Sequence, residues 1–534
     1  MEPSLKMVSS RRGDFLCLIL LSIVLYFPGL GARDLWAPVE PRYGEIVRVM
    51  SARGEWLVPT INGELYTDKP ILYFWLVLIG AKIMGSVSEW SVRLPSALSA
   101  LGLVLATYAL GRDFLGGRAG FFGAIILATT ARVFWEGRWA HTDMLFTLLF
   151  TLSLYFWARA NFQRGAPREF LLAYGLMGLA TLTKGFIGVV LPGLICLCYV
   201  ALRRDWRSIF SWRLPAGAVI FFLVTVPWFG AVTLATDGRW LEEFVIVHHI
   251  QRYTSGAGHE QPFYYYLANF PADLLPWTPF LVSAIAACPP ARARLKEPIP
   301  LFLCVWFGAI FIFFSLSDTK RALYLLPLFP PVALAIGCYF DALTRSDVAQ
   351  GAIYRWMAYF LFGVFLLGSI SLPIGAWYFQ RELVWLSVPA ALAMAGGGLA
   401  GMAAVWRRRP VTVFFAVAAT VSLTMLWASL RILPFIDRYK SPRPFAFEVK
   451  KLVPKAEPLY IYADAMNDFN FYTEREAIPV VSSPAEVEKL TARGVPVYLL
   501  IRERDLKAIG MIEKISFLAK APVGGKKWNL VRLG

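Results

Sequence analysis

The stretch PIPLFLCVWFGAIFIFFSLS, residues 298–317, decides the fold class, because none of its side chains is charged. A helix of about 20 apolar residues spans the roughly 30 Å hydrocarbon core of a bilayer. The chain as a whole is 57% hydrophobic, 15% aromatic and only 17% charged, with a mean hydropathy of +0.55. This composition excludes a disordered chain, a coiled coil and an ordinary soluble enzyme. We predict a mainly α-helical, polytopic membrane protein.

Charge-free runs of similar length recur on both sides of this stretch. We expect thirteen transmembrane helices, at residues 15–32, 94–111, 119–135, 144–158, 170–183, 185–202, 214–236, 274–291, 298–317, 322–340, 356–380, 383–406 and 410–430. The apolar segment 70–85 is shorter and contains Lys82. If it lies in the membrane interface, the arginine-rich loops between the runs all become cytoplasmic, as the positive-inside rule requires. The N-terminus is then cytoplasmic and the C-terminal domain periplasmic, in a multi-pass inner-membrane protein.

The net charge of +17 follows from the same rule, so no nucleic-acid partner is expected. The predicted organisation is a membrane domain, 1–435, and a small extracytoplasmic α/β domain, 436–534. Two large extracytoplasmic loops, 33–93 with interfacial helices and 237–273, belong to the membrane domain. Five candidate strands in the C-terminal domain, at 458–463, 478–482, 495–501, 515–520 and 527–533, alternate with helical patterns, one of which starts from a Ser483 cap.

Charged residues collect at the predicted outer ends of the helices. A transporter would instead place ionisable residues near the bilayer midplane. Carboxylates and cations at one membrane face suit a reaction on a membrane-embedded anionic substrate, since cations hold a phosphate and a carboxylate activates a hydroxyl.

The segment DLWAPVEPRYGEIVRVMSARGEWLVPTINGELYTDKPILYFW, residues 34–75, resembles the first extracytoplasmic loop of bacterial GT-C class glycosyltransferases. The similarity is to the aminoarabinose transferases of lipid A and, more distantly, to the protein O-mannosyltransferases. Further similar motifs are RLPSAL (93–98), HTDMLFT (141–147), LTKG (182–185), HHIQRY (248–253), PFYYY (262–266) and SDTKRALYLLPLFPP (317–331).

The resemblance implies a GT-C fold and a transferase that uses a polyprenyl-phosphate-linked sugar. The acceptor would be lipid A first, and otherwise a protein hydroxyl or another envelope glycan. Inversion of the sugar's anomeric carbon in a single displacement is expected. Because the leaving lipid phosphate is already an anion, its departure needs cations rather than an acid that protonates it. The candidates for the donor phosphate are Lys69, Lys184, Arg252, Lys320 and Arg321.

The catalytic candidates are Glu40 and Asp143. Arg42, Tyr43, Asp68 and Tyr324 are expected to build the site. The family motif has an Asp-Glu pair before x-Arg-Tyr, whereas this chain has Val39 followed by Glu40. A base role would therefore pass to Glu40 or Asp143, or be unnecessary with a phosphate acceptor that is already ionised. Glu40 as a structural partner and Asp143 as a helix-capping residue are the alternatives.

No cofactor is firmly expected, and a divalent metal is not required, although His249 is a candidate ligand. Two other functions stay open: a lipid-linked glycan transporter, which predicts internal repeats and mid-membrane charges, and a membrane scaffold, which would tolerate substitution of Glu40 or Lys320.

Overall fold

The computed structural model describes residues 11–163, 167–206, 213–247, 260–287, 296–345, 351–463, 467–492, 495–509 and 515–534. Long apolar runs form helices because a buried backbone in lipid must satisfy its own hydrogen bonds. The α-helices up to the last long apolar one are α1 (Arg11–Tyr26), α2 (Glu40–Arg53), α3 (Leu72–Met84), α4 (Glu89–Phe114), α5 (Gly117–Ala128), α6 (Ala131–Gly137), α7 (Thr142–Phe162), α8 (Pro167–Lys184), α9 (Ile187–Arg203), α10 (Arg213–Ala235), α11 (Arg239–Val245), α12 (Tyr265–Asp273), α13 (Thr278–Ala286), α14 (Pro298–Leu316), α15 (Phe329–Thr344), α16 (Ala352–Phe379), α17 (Glu382–Trp406) and α18 (Pro410–Trp427).

Each of the thirteen predicted runs overlaps at least one of these helices. Within the described residues, 7 helical segments are long and apolar enough to cross a membrane by length and composition. The protein is therefore a multi-pass membrane protein, while the count of thirteen spans and the orientation of the termini stay predictions. Helix α3 has 13 residues, or about 20 Å of rise, and its interfacial position stays a prediction.

The chain divides into two compact units. The first comprises residues 1–28, 68–73 and 95–432, and holds most of the apolar helices. Its aromatic core includes Phe122, Phe340 and Phe414, whose rings lie 4.6–6.3 Å apart between centroids. A 3-10 helix, Ala322–Leu328, precedes α15 and contributes Tyr324 to the site described below.

The second unit comprises residues 29–67, 74–94 and 433–534, so most of the first predicted loop packs with the C-terminal segment. It contains a short hairpin, β1 (Thr60–Ile61) and β2 (Glu64–Leu65), and a mixed sheet of order β4-β3-β5-β7-β6. The remaining elements are β3 (Leu459–Tyr462), β4 (Val480–Val481), β5 (Val497–Arg502), β6 (Ile515–Val523), β7 (Lys526–Leu533), the helices α19 (Leu433–Lys440), α20 (Arg443–Leu452), α21 (Asn467–Thr473) and α22 (Pro484–Thr491), and a 3-10 helix, Glu503–Ile509.

The five predicted strands of this unit are confirmed, and so is the cap of α22. The Ser483 hydroxyl accepts a hydrogen bond from the Glu486 amide, 3.3 Å away, and the Glu486 carboxylate accepts one from the Ser482 amide. The first bond satisfies an amide group that the first helical turn leaves unpaired, and the second ties the residue before the cap to the helix. Residues 29–67 and 74–94 join the C-terminal segment from residue 433 onward in this unit, and the predicted division into 1–435 and 436–534 stays a prediction.

Candidate functional site

Glu40, the first residue of α2, is held by an arginine clamp made of Arg33 and Arg93. Arg93 Nε and Nη2 donate to the two carboxylate oxygens at 2.7 and 2.9 Å. Arg33 Nη1 and Nη2 donate to the same oxygens at 2.5 and 3.0 Å, and the Trp36 amide adds a fifth hydrogen bond at 3.1 Å. The side chains of Glu40 and Arg93 are 0% exposed. The carboxylate is thus saturated with donors and shielded from water.

This geometry favours the structural alternative for Glu40. Burial alone would raise the pKa of Glu40, but the guanidinium groups of Arg33 and Arg93 hold it well below its usual range. A carboxylate with so low a pKa is a poor proton acceptor at neutral pH. Arg93 also donates to the carbonyls of Leu30 and Arg33, so the clamp fastens the loop before α2. Sequence reasoning missed both arginines, although Arg93 opens the RLPSAL motif at the edge of an apolar run.

The other two motif residues near Glu40 differ in their surroundings. Tyr43 is 3% exposed and packs edge-on against Phe74, with ring centroids 5.2 Å apart. Arg42 is half-buried, and no ion pair of its guanidinium is found within the described part of the chain. Arg42 therefore keeps its donors for a ligand or for water.

In the first unit, Asp143 and Lys184 form an ion pair. Asp143 lies in the first turn of α7 and Lys184 is the last residue of α8, so the two helix ends bring them together. Lys184 Nζ donates to Asp143 Oδ1 at 2.5 Å, and the side chains are 12% and 9% exposed. The same ammonium lies 5.0 Å from the Phe146 ring centroid and 5.1 Å from that of Tyr324, a cation–π arrangement on two sides.

Asp68 and Lys69 complete what we call the lysine cluster, defined as Lys69, Lys184, Asp68 and Asp143. Lys69 Nζ donates to the backbone carbonyl and to Oδ1 of Asp68, at 3.0 and 3.2 Å. Both side chains are partly exposed, at 20% and 17%. The positive charge of Lys69 also acts on Asp143. The cluster thus comprises two ion pairs, with two ammonium groups and two carboxylates contributed by three separate sequence motifs.

Lys320 and Arg321, predicted together, have different environments. Lys320 is 5% exposed and donates to the backbone carbonyls of Ser317 and Gln261, the latter at 3.0 Å. It therefore ties residue 261 to the end of α14. Arg321 is half-buried, and the described residues provide no side-chain partner for it. Of these two candidates, Arg321 is the one whose guanidinium stays available to an anion.

A second series of charged contacts lies beside Asp143 and was not predicted. His141 Nδ1 and Glu136 Oε2 are 3.0 Å apart, Glu136 contacts Arg132 at 3.3 Å, and Arg132 contacts Asp273 at 2.6 Å. Glu136 is 2% exposed and Asp273 is 15% exposed. This series of charged contacts joins α6 to the segment before α7 and to α12. It therefore orders the backbone next to Asp143. Glu136 and Arg132 interrupt an apolar run at helical spacing, which was the available signal.

Two predicted residues, Arg252 and His249, lie outside the described residues, and nothing follows for them. Among the residues that the structure does describe, no three His, Cys, Asp or Glu side chains converge in a way that would hold a metal ion.

The chain is similar to known proteins in part of its sequence and in its fold. The family model of dolichyl-phosphate-mannose-protein mannosyltransferases matches residues 68–230, which include Lys69, Asp143 and Lys184. A crystal structure of ArnT from Cupriavidus metallidurans bound to undecaprenyl phosphate superimposes with a TM-score of 0.80 at 23% identity, covering 98% of each chain. This chain has the GT-C fold. An archaeal oligosaccharyltransferase, AglB from Archaeoglobus fulgidus, matches with a TM-score of 0.54 at 13% identity, covering 93% of this chain and 69% of that one.

Several sequence relatives carry the name of an arabinosyl transferase. An undecaprenyl phosphate-alpha-4-amino-4-deoxy-L-arabinose arabinosyl transferase of Shewanella sediminis is 28% identical over 91% of this chain and 93% of that protein. The enzyme of the same name from Edwardsiella ictaluri is 30% identical over 67% of this chain, an alignment that spans 65% of the Edwardsiella protein. The resemblance stated from the sequence motifs is confirmed: the chain is similar to enzymes that are named for a lipid-phosphate donor.

Proposed function

We propose that this GT-C protein transfers a sugar from a polyprenyl-phosphate carrier to a lipid A-type acceptor at the extracytoplasmic membrane face. The observation that carries the proposal is the lysine cluster, in which Lys184 pairs with Asp143 and lies beside Tyr324. Both lysines of the cluster fall within the segment that the family model matches. Its support is the similarity along 93% of the length of the Shewanella enzyme. The sugar class follows the relatives' names, a 4-amino-4-deoxypentose.

In the proposed displacement, an acceptor oxygen attacks the anomeric carbon as the bond from that carbon to the carrier phosphate breaks. The lipid phosphate leaves as an anion, and cations nearby stabilise the charge that it gains. Lys69, Lys184 and Arg321 are the proposed partners of that phosphate. Lys320 and Tyr324 are positioning residues, Lys320 through the carbonyls that it ties together and Tyr324 through its ring against Lys184.

The ion pairing of the carboxylates favours a phosphate as the acceptor group. Glu40 is neutralised by two arginines and Asp143 by Lys184, so both are held as anions and are weak bases. A phosphate oxygen is already ionised at neutral pH and needs no base, whereas a serine or sugar hydroxyl does. The family motif has an aspartate where this chain has Val39, and the loss of this candidate base is compatible with a phosphate acceptor. We therefore assign Glu40 a structural role and give Asp143 the task of orienting Lys184.

The test is transfer by the purified chain in lipid nanodiscs, with undecaprenyl-phosphate-linked aminoarabinose as donor and lipid A as acceptor, read by mass spectrometry. Lys69→Gln and Lys184→Gln are expected to lower kcat by about 10²-fold, the usual effect of removing one group that stabilises a developing anion. Lys296→Gln, on an exposed lysine, is the matched control. Unchanged rates in both cluster variants would overturn the assignment, and no transfer by a folded wild type would overturn the function.

A protein hydroxyl acceptor is the second candidate, favoured by the description of the family model. Dephosphorylated lipid A separates the two. If transfer needs the acceptor phosphate, the first function is supported. If a serine-containing peptide accepts the sugar and lipid A does not, transfer to a protein hydroxyl is supported.

A further inference from the structure

A groove of about 420 Å³ in the second unit has no place in the reaction described above. We name it the arginine–aromatic groove; its walls include Arg48 and Ser51 of α2, Ser88 and Glu89 at the start of α4, and Arg443 and Phe447 of α20. The volume falls within the range of about 300–1,000 Å³ that is typical of small-molecule sites. All of its lining residues belong to one compact unit.

The two arginines along the groove, Arg443 and Arg48, each already bond to carboxyl groups of the protein. Arg443 Nη1 lies 2.9 Å from Asp34 Oδ1 and 3.4 Å from Glu89 Oε1. Arg48 donates two hydrogen bonds of 2.8 Å to Glu45, whose side chain is 0% exposed. An anion at either arginine would therefore have to compete with these internal partners, so the arginines are not free anion sites.

The same pairs still offer hydrogen-bonding capacity in fixed directions. A guanidinium carries five N–H donors, and an ionised carboxylate carries about four lone-pair sites. The Arg443 side chain is 43% exposed. That of Glu474, another lining residue and the ion-pair partner of Lys450, is 54% exposed, so the groove offers both donors and acceptors. A hydroxyl group, which donates and accepts at once, matches such a surface better than a group that can do only one.

Aromatic rings supply the apolar part of the groove. Phe447 is 41% exposed and meets Tyr472 edge-on, with ring centroids 6.3 Å apart. The Arg443 guanidinium carbon lies 5.3 Å from the Phe447 ring centroid and 5.8 Å from that of Tyr472. An aromatic face is electron-rich and attracts weakly polarised C–H groups, such as those on the face of a sugar ring.

The rim of the groove is preorganised. Arg475 is 8% exposed and donates to the carbonyls of Val453, Pro454, Lys455 and Glu457. These bonds hold the segment that carries Lys455, one of the lining residues. A site whose walls are fixed before binding loses less entropy when a ligand arrives.

We propose that the arginine–aromatic groove binds an uncharged, hydroxyl-rich saccharide, namely a sugar of the acceptor glycan other than the group that receives the transferred residue. This specificity site rests on the proposed function, since it takes the acceptor to be a glycolipid. Phe447 is the stacking residue, and Arg443 and Glu474 supply the polar contacts.

The test compares two acceptors, lipid A and the same lipid A extended by a neutral oligosaccharide, with the wild-type chain in nanodiscs. Phe447→Ala is expected to raise KM for the extended acceptor about three- to tenfold, the value of one aromatic contact. The kcat of Phe447→Ala for the extended acceptor should not change, and neither should its KM for lipid A alone. Phe517→Ala, on a residue of β6 that is 61% exposed and does not line the groove, is the matched control. Equal KM effects on both acceptors, or no effect on either, would overturn the proposal.

A direct binding measurement separates this site from the reaction itself. Saturation-transfer NMR of the full-length chain with the free neutral oligosaccharide needs no transfer to occur. A signal that is lost in Phe447→Ala supports the groove even if the proposed reaction fails. Absence of a signal from the folded wild type overturns the groove and leaves the reaction untouched.

Discussion

Replacing Glu40 by glutamine tests whether this residue is structural or a catalytic base. Glutamine keeps the size of the side chain but removes the charge that two buried arginines face. Arg93 is 0% exposed and Arg33 is 6% exposed at the side chain, so neither can recover its solvation in water. Removing one partner of a buried ion pair typically costs about 3–5 kcal/mol. We expect Glu40→Gln to lose folding stability by about this amount.

The assay is thermal unfolding of the purified chain in one detergent, followed by intrinsic fluorescence, alongside sugar transfer at a temperature where both proteins are folded. Glu64→Gln is the matched control, because Glu64 is an exposed residue of β2 in the same unit. The expected result is a clear fall in Tm for Glu40→Gln, no fall for the control, and a transfer rate per folded molecule that is largely kept.

The opposite pattern would refute the reasoning. If Glu40→Gln kept the wild-type Tm and lost transfer by several orders of magnitude, Glu40 would be a catalytic base and the arginine clamp would be incidental. The pH dependence gives a second check. The pKa of Glu40 is depressed in the folded chain, so its stabilisation is present above the unfolded pKa, near 4.5, and is lost as the pH falls further towards the folded value. Glu40→Gln should remove this loss.

Three further predictions concern the second unit. Burial raises the pKa of Glu45 to about 7, so the folded chain holds a proton that the unfolded chain releases near pH 4.5. The free energy of unfolding should therefore fall by about 3 kcal/mol as the pH rises from 4.5 to 7. A pH series of Tm should be flatter in Glu45→Gln than in the wild type. Ser483→Ala removes the cap of α22 and should cost about 1 kcal/mol in chemical unfolding; no change would mean that water replaces the cap. Arg475→Ala frees four carbonyls, and hydrogen exchange of amides 455–457 should speed up at least about tenfold, whereas unchanged protection would show that the segment is held by other contacts.

Part of the candidate site was predictable because chemistry and membrane position constrain it locally. Lys69, Asp143 and Lys184 end or begin apolar runs, where an ionisable residue is costly unless it has a partner or a role. Their residue types were therefore informative before any contact was known. Glu40 shows the limit of that argument: its motif position indicated function, while its charge partners, at Arg33 and Arg93, were hidden because one of them lies 53 residues away in sequence.

The sequence by itself determined that the chain is a polytopic helical membrane protein with a small α/β unit, because hydrophobic length and the period-2 pattern of the C-terminal strands act over neighbouring residues. It also named the cations and carboxylates that such chemistry requires. Only the tertiary structure decided which of them meet: that Asp143 pairs with Lys184, that Glu40 is enclosed by arginines, and that residues 29–67 and 74–94 pack with the C-terminal segment. The physical reason is that charge pairing depends on distances of a few ångströms between residues far apart in the chain, which no local pattern encodes.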